Sequence, residues 1–227
     1  MSQKAPDHSV FSRFRDQLIK HDLYDRLFKE LNHQLEEKGL IVKKGTLIDA
    51  TVIEAAAKKP KQNEGGTGGS SEQDPDAGWT KKGGKYLFGY KAHVGVDQQS
   101  ELIRKVQMTP ASVYDGKVFA PLVNGDEEWV FADKAYDSKE NGETLQKRNI
   151  ENGIMIKGVR NRPLGVIEKR CNRVLSRLRS HVERVFGTMK RSYRYWRSKY
   201  LGLRKNMLQI TMTCMVYNLK SLGKLCA

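Results

Sequence analysis

Late in the chain, six apolar residues recur at three- and four-residue steps: Leu175, Leu178, Val182, Val185, Phe186 and Met189. At 3.6 residues per turn they form one face of a single long helix that begins near Leu164. A helix with one apolar face has to lie on an apolar surface. The earlier apolar runs are short and rich in β-branched residues, so that surface is a sheet. Thr46 to Ile53 reads as a first strand and Tyr86 to Val96 as a second. Leu102 to Met108 pairs with the second across Asp97-Gln98-Gln99-Ser100, and Glu128 to Ala132 and Gly153 to Ile156 are further short strands. Helices are expected at 116–123, 139–149 and Leu208 to Leu222. The fold class is therefore α/β, a mixed sheet flanked by helices.

Residues 7–39 precede the sheet as two helices. Asp7 caps the first, whose apolar stripe is Val10, Phe11, Phe14 and Leu18. Leu23, Leu27, Phe28, Leu31 and Leu35 form the stripe of the second, which Gly39 ends. Neither resembles a DNA-recognition helix. The organisation expected is a small N-terminal helical segment, 1–40, followed by one domain, 41–227. Inside that domain Lys58 to Lys85, with its Gly, Ser, Asp and Pro clusters, reads as a long mobile loop. Gly83-Gly84 lacks the spacing of a phosphate loop and opens no helix.

Charge points to the partner. The chain carries a formal net charge of +15, and Lys157 to Lys205 alone holds 16 Lys and Arg against 2 acids. Solvated helix faces mix both signs, so a strip this one-sided favours a polyanion, most often nucleic acid. No apolar run is long enough to span a bilayer, and the N-terminal residues lack a signal peptide's apolar stretch, so a cytoplasmic protein is expected. Cys171, Cys214 and Cys226 form no CxxC pair, which fits free thiols better than a disulfide framework or a zinc site.

In so basic a chain the acids at element ends need an explanation. Asp49 lies within the first strand, Asp133 at the end of Trp129-Val130-Phe131-Ala132, and Glu183 on the long basic helix. Two readings stand side by side. Asp133 can be a cap and Glu183 a plain partner of Arg179. Alternatively, the three carboxylates hold Mg²⁺ (or Mn²⁺), a hard cation that takes carboxylate, water and phosphate oxygens, as two ions that activate attacking and leaving oxygens in phosphoryl transfer. Asp49 inside a strand is the hardest to read as structural, because a buried unpaired carboxylate is costly. Arg179, four residues before Glu183, and Lys190, seven after, share its helix face, and Gly187 leaves room there for a backbone to approach.

The segments LIDAT (47–51), DPDAGWTKKGGKYLFGYKAHVGVD (74–97), VFADKAYDS (130–138) and HVERVFGTMKR (181–191) resemble bacterial insertion-sequence DDE transposases of the IS-four and IS-five group. The resemblance runs in order over residues 7 to 222. It implies an RNase H-like fold, hydrolytic cleavage of phosphodiesters at transposon ends, and strand transfer of the freed 3′-hydroxyl to target DNA, with a homodimer in the DNA complex. It implies Asp49, Asp133 and Glu183 as catalytic metal ligands. The family's Y-(2)-R-(3)-E-(6)-K signature maps its Arg to Arg179 and its Lys to Lys190, while Ser176 stands at the Tyr position. The family usually carries a further N-terminal region that recognises the element's ends. This chain starts almost at the PDHSVFSRFR segment, which implies a truncated copy; a DNA-binding remnant without activity and a nuclease without strand transfer are the alternative readings. Further DNA contacts are expected from Arg191, Arg194 and Trp196, where basic and aromatic residues interleave, and from Lys81 and Lys82. The burial of Tyr195 or Trp196 under the last helix is an equally weighted alternative for that strip. His93 is read as a packed histidine, and His181 points off the Glu183 face.

Overall fold

A computed structural model describes residues 6–61 and 71–225. Six strands form one mixed sheet: β1 (Gly45–Glu54), β2 (Gly78–Lys82), β3 (Lys85–Asp97), β4 (Ile103–Pro110), β5 (Trp129–Ala132) and β6 (Glu151–Ile154). Their order is β2-β3-β1-β5-β6, with β4 also pairing β3. β3 runs antiparallel to β1, β2 and β4, while β1, β5 and β6 are parallel neighbours.

The helices are α1 (His8–Lys20), α2 (Leu23–Glu37), α3 (Phe119–Leu122), α4 (Lys139–Lys147), α5 (Val166–Arg191) and α6 (Leu203–Leu225). Strand alternation divides the core into two layers. Leu47, Ile53, Val94 and Phe131 point to one face, where α5 supplies Val182, Val185, Phe186 and Met189, and α6 supplies Ile210, Cys214 and Tyr217. Ile48, Val130 and Ala132 point to the other, against Phe119 and Leu122 of α3 and Leu145 of α4. The apolar periodicity of 175–189 thus becomes the contact of α5 with the sheet.

Each of the two long helices also fastens a strand by an asparagine. The Asn218 amide of α6 accepts from the Ile103 N–H at 2.8 Å and donates to its C=O at 2.8 Å, replacing the neighbour that this edge of β4 lacks. Asn172 of α5 does the same for Ile156, just past β6, at 2.9 Å in both directions. Asn218 also donates to Asn32 of α2, and Phe28 of α2 enters the main core, so the N-terminal helices are built into the sheet layer.

Several expectations change in detail. Asp7 does cap α1, yet only Leu18 and Ile19 of that helix are buried, and Val10, Phe11 and Phe14 face solvent. The tract expected as loop from Lys58 to Lys85 contains β2, joined to β3 through Gly83 and Gly84; residues 62–70, with most of its Gly cluster, lie outside the described residues. Both glycines have positive φ, 55° and 79°, as a tight two-residue hairpin turn requires. The expected helix over 116–123 is a 3-10 turn at Asp115–Val118 followed by the single-turn α3. Among the described residues no helix is long and apolar enough to cross a membrane, and Cys171 and Cys214 are free thiols; Cys226 lies outside them.

Candidate active site

The pairing of β1 with β5 carries Leu47 opposite Phe131 and Ile48 opposite Ala132. Asp49 and Asp133 sit one residue beyond those pairs. Because side chains alternate, both carboxylates return to the face that Leu47 and Phe131 occupy, beneath α5. Asp49 Oδ1 accepts from the Ala50 N–H at 2.8 Å, and Asp133 Oδ1 from the Lys134 N–H at 2.7 Å. The second contact also makes Asp133 the cap of a short 3-10 turn, so its structural reading and its site position coexist.

A guanidinium lies between the acids. Arg179 of α5 places one terminal nitrogen 3.2 Å from Asp49 Oδ2 and the other 3.7 Å from Asp133 Oδ1. Burial raises the Asp49 pKa; the Arg179 charge and the Ala50 N–H pull it down, and the Asp133 charge adds to the rise. Tyr136, buried behind the acids, has its hydroxyl held well above the ordinary range, first by burial and then by the Asp49 charge, so it stays protonated.

Glu183 stands apart. It is exposed, and among the described residues it has no ion-pair partner, Arg179 included. Among those residues no three His, Cys, Asp or Glu side chains come together as a metal-binding group. The expected triad is therefore assembled in two of its members. The donor set of those two suits a divalent cation, since both are carboxylates on one face of the sheet and a positive group already stands against them.

The other expected residues divide between inward and outward positions. Lys190 turns inward: its Nζ donates to the Val52 C=O of β1 at 3.1 Å, and burial, followed by the Lys82 charge, lowers its pKa. Lys82, exposed on the β2–β3 hairpin, is close enough for its charge to act on both Asp49 and Lys190. Lys81 stacks over the Tyr86 ring at 5.2 Å. Arg191, Arg194 and Trp196 are exposed, whereas Tyr195 is buried in the main core, so the burial reading of that strip holds for Tyr195 and not for Trp196. Beside Gly187 lies the flexible end of Arg191, 3.0 Å from where a Cβ would stand. His93 is buried against Thr109 at 2.9 Å, and burial lowers its pKa to about 4. His181 faces Glu101 at 3.1 Å, off the Glu183 face. What sequence reasoning missed is the Arg179 fork itself.

The fold and site are those of an α/β sheet that presents two carboxylates to a strongly basic helix. Comparison with known proteins gives its family. Residues 41–219 match the transposase DDE domain family, and the chain belongs to it. It is 40% identical over 220 residues to the transposase for insertion sequence element IS1106 of Neisseria meningitidis serogroup B, covering 92% of this chain and 76% of that relative. The chain is thus an insertion-sequence DDE transposase by family, an enzyme class that cleaves DNA and transfers strands. A pre-cleavage Mos1 transpososome aligns over 99% of this chain and 67% of its own at 11% identity and TM-score 0.31. A Mos1 paired-end complex with the left transposon end aligns over 96% and 65% at 12% identity and TM-score 0.26. Likenesses this low carry no argument.

Proposed function

We propose that Asp49 and Asp133 form the core of the transposition site, holding Mg²⁺ or Mn²⁺ against a scissile phosphodiester, with Glu183 completing the set on DNA. The observation that carries this reading is the pairing of two carboxylates on neighbouring parallel strands under a basic helix. The sheet order supports an RNase H-like domain: β4-β3-β1-β5-β6 with only β3 reversed, and β2 added as a hairpin. That domain spans 41–227, with the helical segment 1–40 packed on it.

A divalent cation there would supply Lewis-acid activation of the attacking oxygen and charge relief at the leaving one. The chain's own residues do the rest. β1 and β5 fix the two carboxylates at adjacent positions. Burial keeps Tyr136 protonated beside them. Lys82, Arg191 and Arg194 are exposed cations suited to DNA phosphates, with Lys81 beside Lys82, and Trp196 offers a face on which an unpaired base can stack. Lys190 holds α5 against β1, and so acts on DNA by positioning the helix. The substrate sets the place of work: chromosomal DNA in the bacterial cytoplasm, engaged by two copies of the chain, one for each transposon end.

The test is nicking of a supercoiled plasmid that carries the flanks of the chain's own coding region. Mg²⁺- or Mn²⁺-dependent nicking that disappears in Asp49→Asn and Asp133→Asn is the expected result. Nicking that survives both substitutions overturns the site. Cleavage without joined products identifies a nuclease, and DNA binding without cleavage in either metal identifies a remnant.

A further inference from the structure

The charge of the paired carboxylates is already offset in part by a residue of the chain. Arg179 is mostly buried, its side chain 13% exposed, and its two terminal nitrogens face different acids rather than one. The fork is loose: 3.2 Å and 3.7 Å compare with about 2.7–2.9 Å for a charge-assisted bond. The guanidinium is also under-used. Its Nε is buried without a hydrogen-bond partner, and the remaining neighbour of one terminal nitrogen is the Met155 sulfur at 3.6 Å, a weak acceptor. The contacts that would hold an arginine permanently are absent among the described residues, while the charge it supplies is the charge the acids need.

We propose that Arg179 is a resident counter-ion that stands in for the divalent cation until DNA arrives, coupling DNA binding to metal binding at Asp49 and Asp133. This inference rests on the reading of those two acids given above. The guanidinium and a divalent cation compete for the same oxygens, Asp49 Oδ2 and Asp133 Oδ1. The guanidinium also cannot serve both acids and a phosphate. A DNA phosphate offers it the bidentate partner that the acids, lying on separate strands, do not. When Arg179 turns to the phosphate it frees both carboxylates, so whichever of DNA and metal binds first strengthens the other. Linkage makes the two effects equal. A site of this kind stays unloaded in the free protein and becomes competent only on its substrate.

The experiment measures Mn²⁺ binding by electron paramagnetic resonance of the free ion. It uses the full chain, with and without a short mixed-sequence DNA duplex at low salt. In the wild-type chain the duplex is expected to tighten Mn²⁺ binding. Arg179→Met is expected to bind Mn²⁺ on the order of tenfold tighter without DNA, and the duplex then adds correspondingly less. Any DNA effect left in that variant belongs to direct metal–phosphate contact. Arg179→Lys keeps the charge but reaches one acid at a time, so it also tightens Mn²⁺, by less; it carries the test if the methionine variant does not fold. Asp49→Asn separates the two ideas. If it abolishes Mn²⁺ binding while both Arg179 variants match wild type, the counter-ion is overturned and the site stands. If Asp49→Asn binds Mn²⁺ like wild type, the site reading falls and the counter-ion with it. Equal tightening by DNA in the wild-type and Arg179→Met chains overturns the coupling.

Discussion

Asn218→Ala removes one amide and breaks three hydrogen bonds. Ile103 is buried, and its N–H and C=O both lose their partner at 2.8 Å, while Asn32 loses a donor at 3.1 Å. A buried backbone group left without a partner costs about 1–3 kcal/mol. Two such groups give a loss of about 2–6 kcal/mol, and we expect a value near 4 because α6 cannot close over the gap without moving off β4. Asn218→Asp should be no milder: it keeps an acceptor for the Ile103 N–H but turns an oxygen toward the Ile103 C=O. The assay is urea unfolding followed by circular dichroism. At a slope of about 2 kcal/mol/M, the midpoint should fall by about 2 M. A loss below about 1 kcal/mol at unchanged slope would refute the reasoning, since it would mean that the edge of β4 does not depend on the clip.

Three further predictions follow from single contacts. Partial desolvation raises the pKa of the exposed Asp126, but hydrogen bonds from Arg104 and Lys43 outweigh it and hold it at about 2. Its folded pKa is depressed, so its contribution is present above the ordinary carboxylate pKa and fades as pH falls toward 2. Asp126→Asn should therefore cost about 1–3 kcal/mol near neutrality by leaving the buried Arg104 unpaired, and the gap from wild type should close on acidification; a gap independent of pH contradicts this. Gly89→Ala would set a Cβ 2.2 Å from the Ile53 carbonyl oxygen and 2.7 Å from the Ala55 nitrogen. It should cost about 1–3 kcal/mol or more, and speed amide exchange at Ala55, whose N–H donates to Phe88; unchanged exchange there counts against the close approach. Tyr195→Ala should lose about 3–5 kcal/mol of stability, whereas Trp196→Ala should leave stability nearly unchanged and weaken binding of a single-stranded oligonucleotide by about 1–3 kcal/mol. Equal melting losses in the two variants would contradict their opposite burial.

The layout was legible where a local rule decides it. The α5 stripe and the strand positions that lead to Asp49 and Asp133 follow from periodicities of 3.6 and 2, and the Asp7 cap from its side-chain acceptor ahead of an apolar stripe. β2 was misread because Gly78-Trp79-Thr80-Lys81-Lys82 sits in a tract of breakers. Its signal is Gly83-Gly84, a two-residue hairpin turn, which a test for phosphate-loop spacing alone does not reveal. α1 shows the limit of periodicity, because an apolar stripe says that a face can be buried, not that a partner is there. The Arg179 fork could not be read at all. On the helix Arg179 and Glu183 are neighbours, and only the tertiary fold reveals that the guanidinium faces acids from two strands instead.

The order of the site's parts along the chain has a consequence for synthesis. The acids lie on β1 and β5, while the helix that carries Arg179 and much of the positive charge comes after every strand of the sheet. A chain emerging from its N-terminus therefore presents Asp49, then the hairpin with Lys81 and Lys82, then Asp133, and only after them the basic helix. The sheet can form before α5 arrives to bring a phosphate to it. Much of the chain's positive charge is therefore made late, on the helix that lies over the two carboxylates.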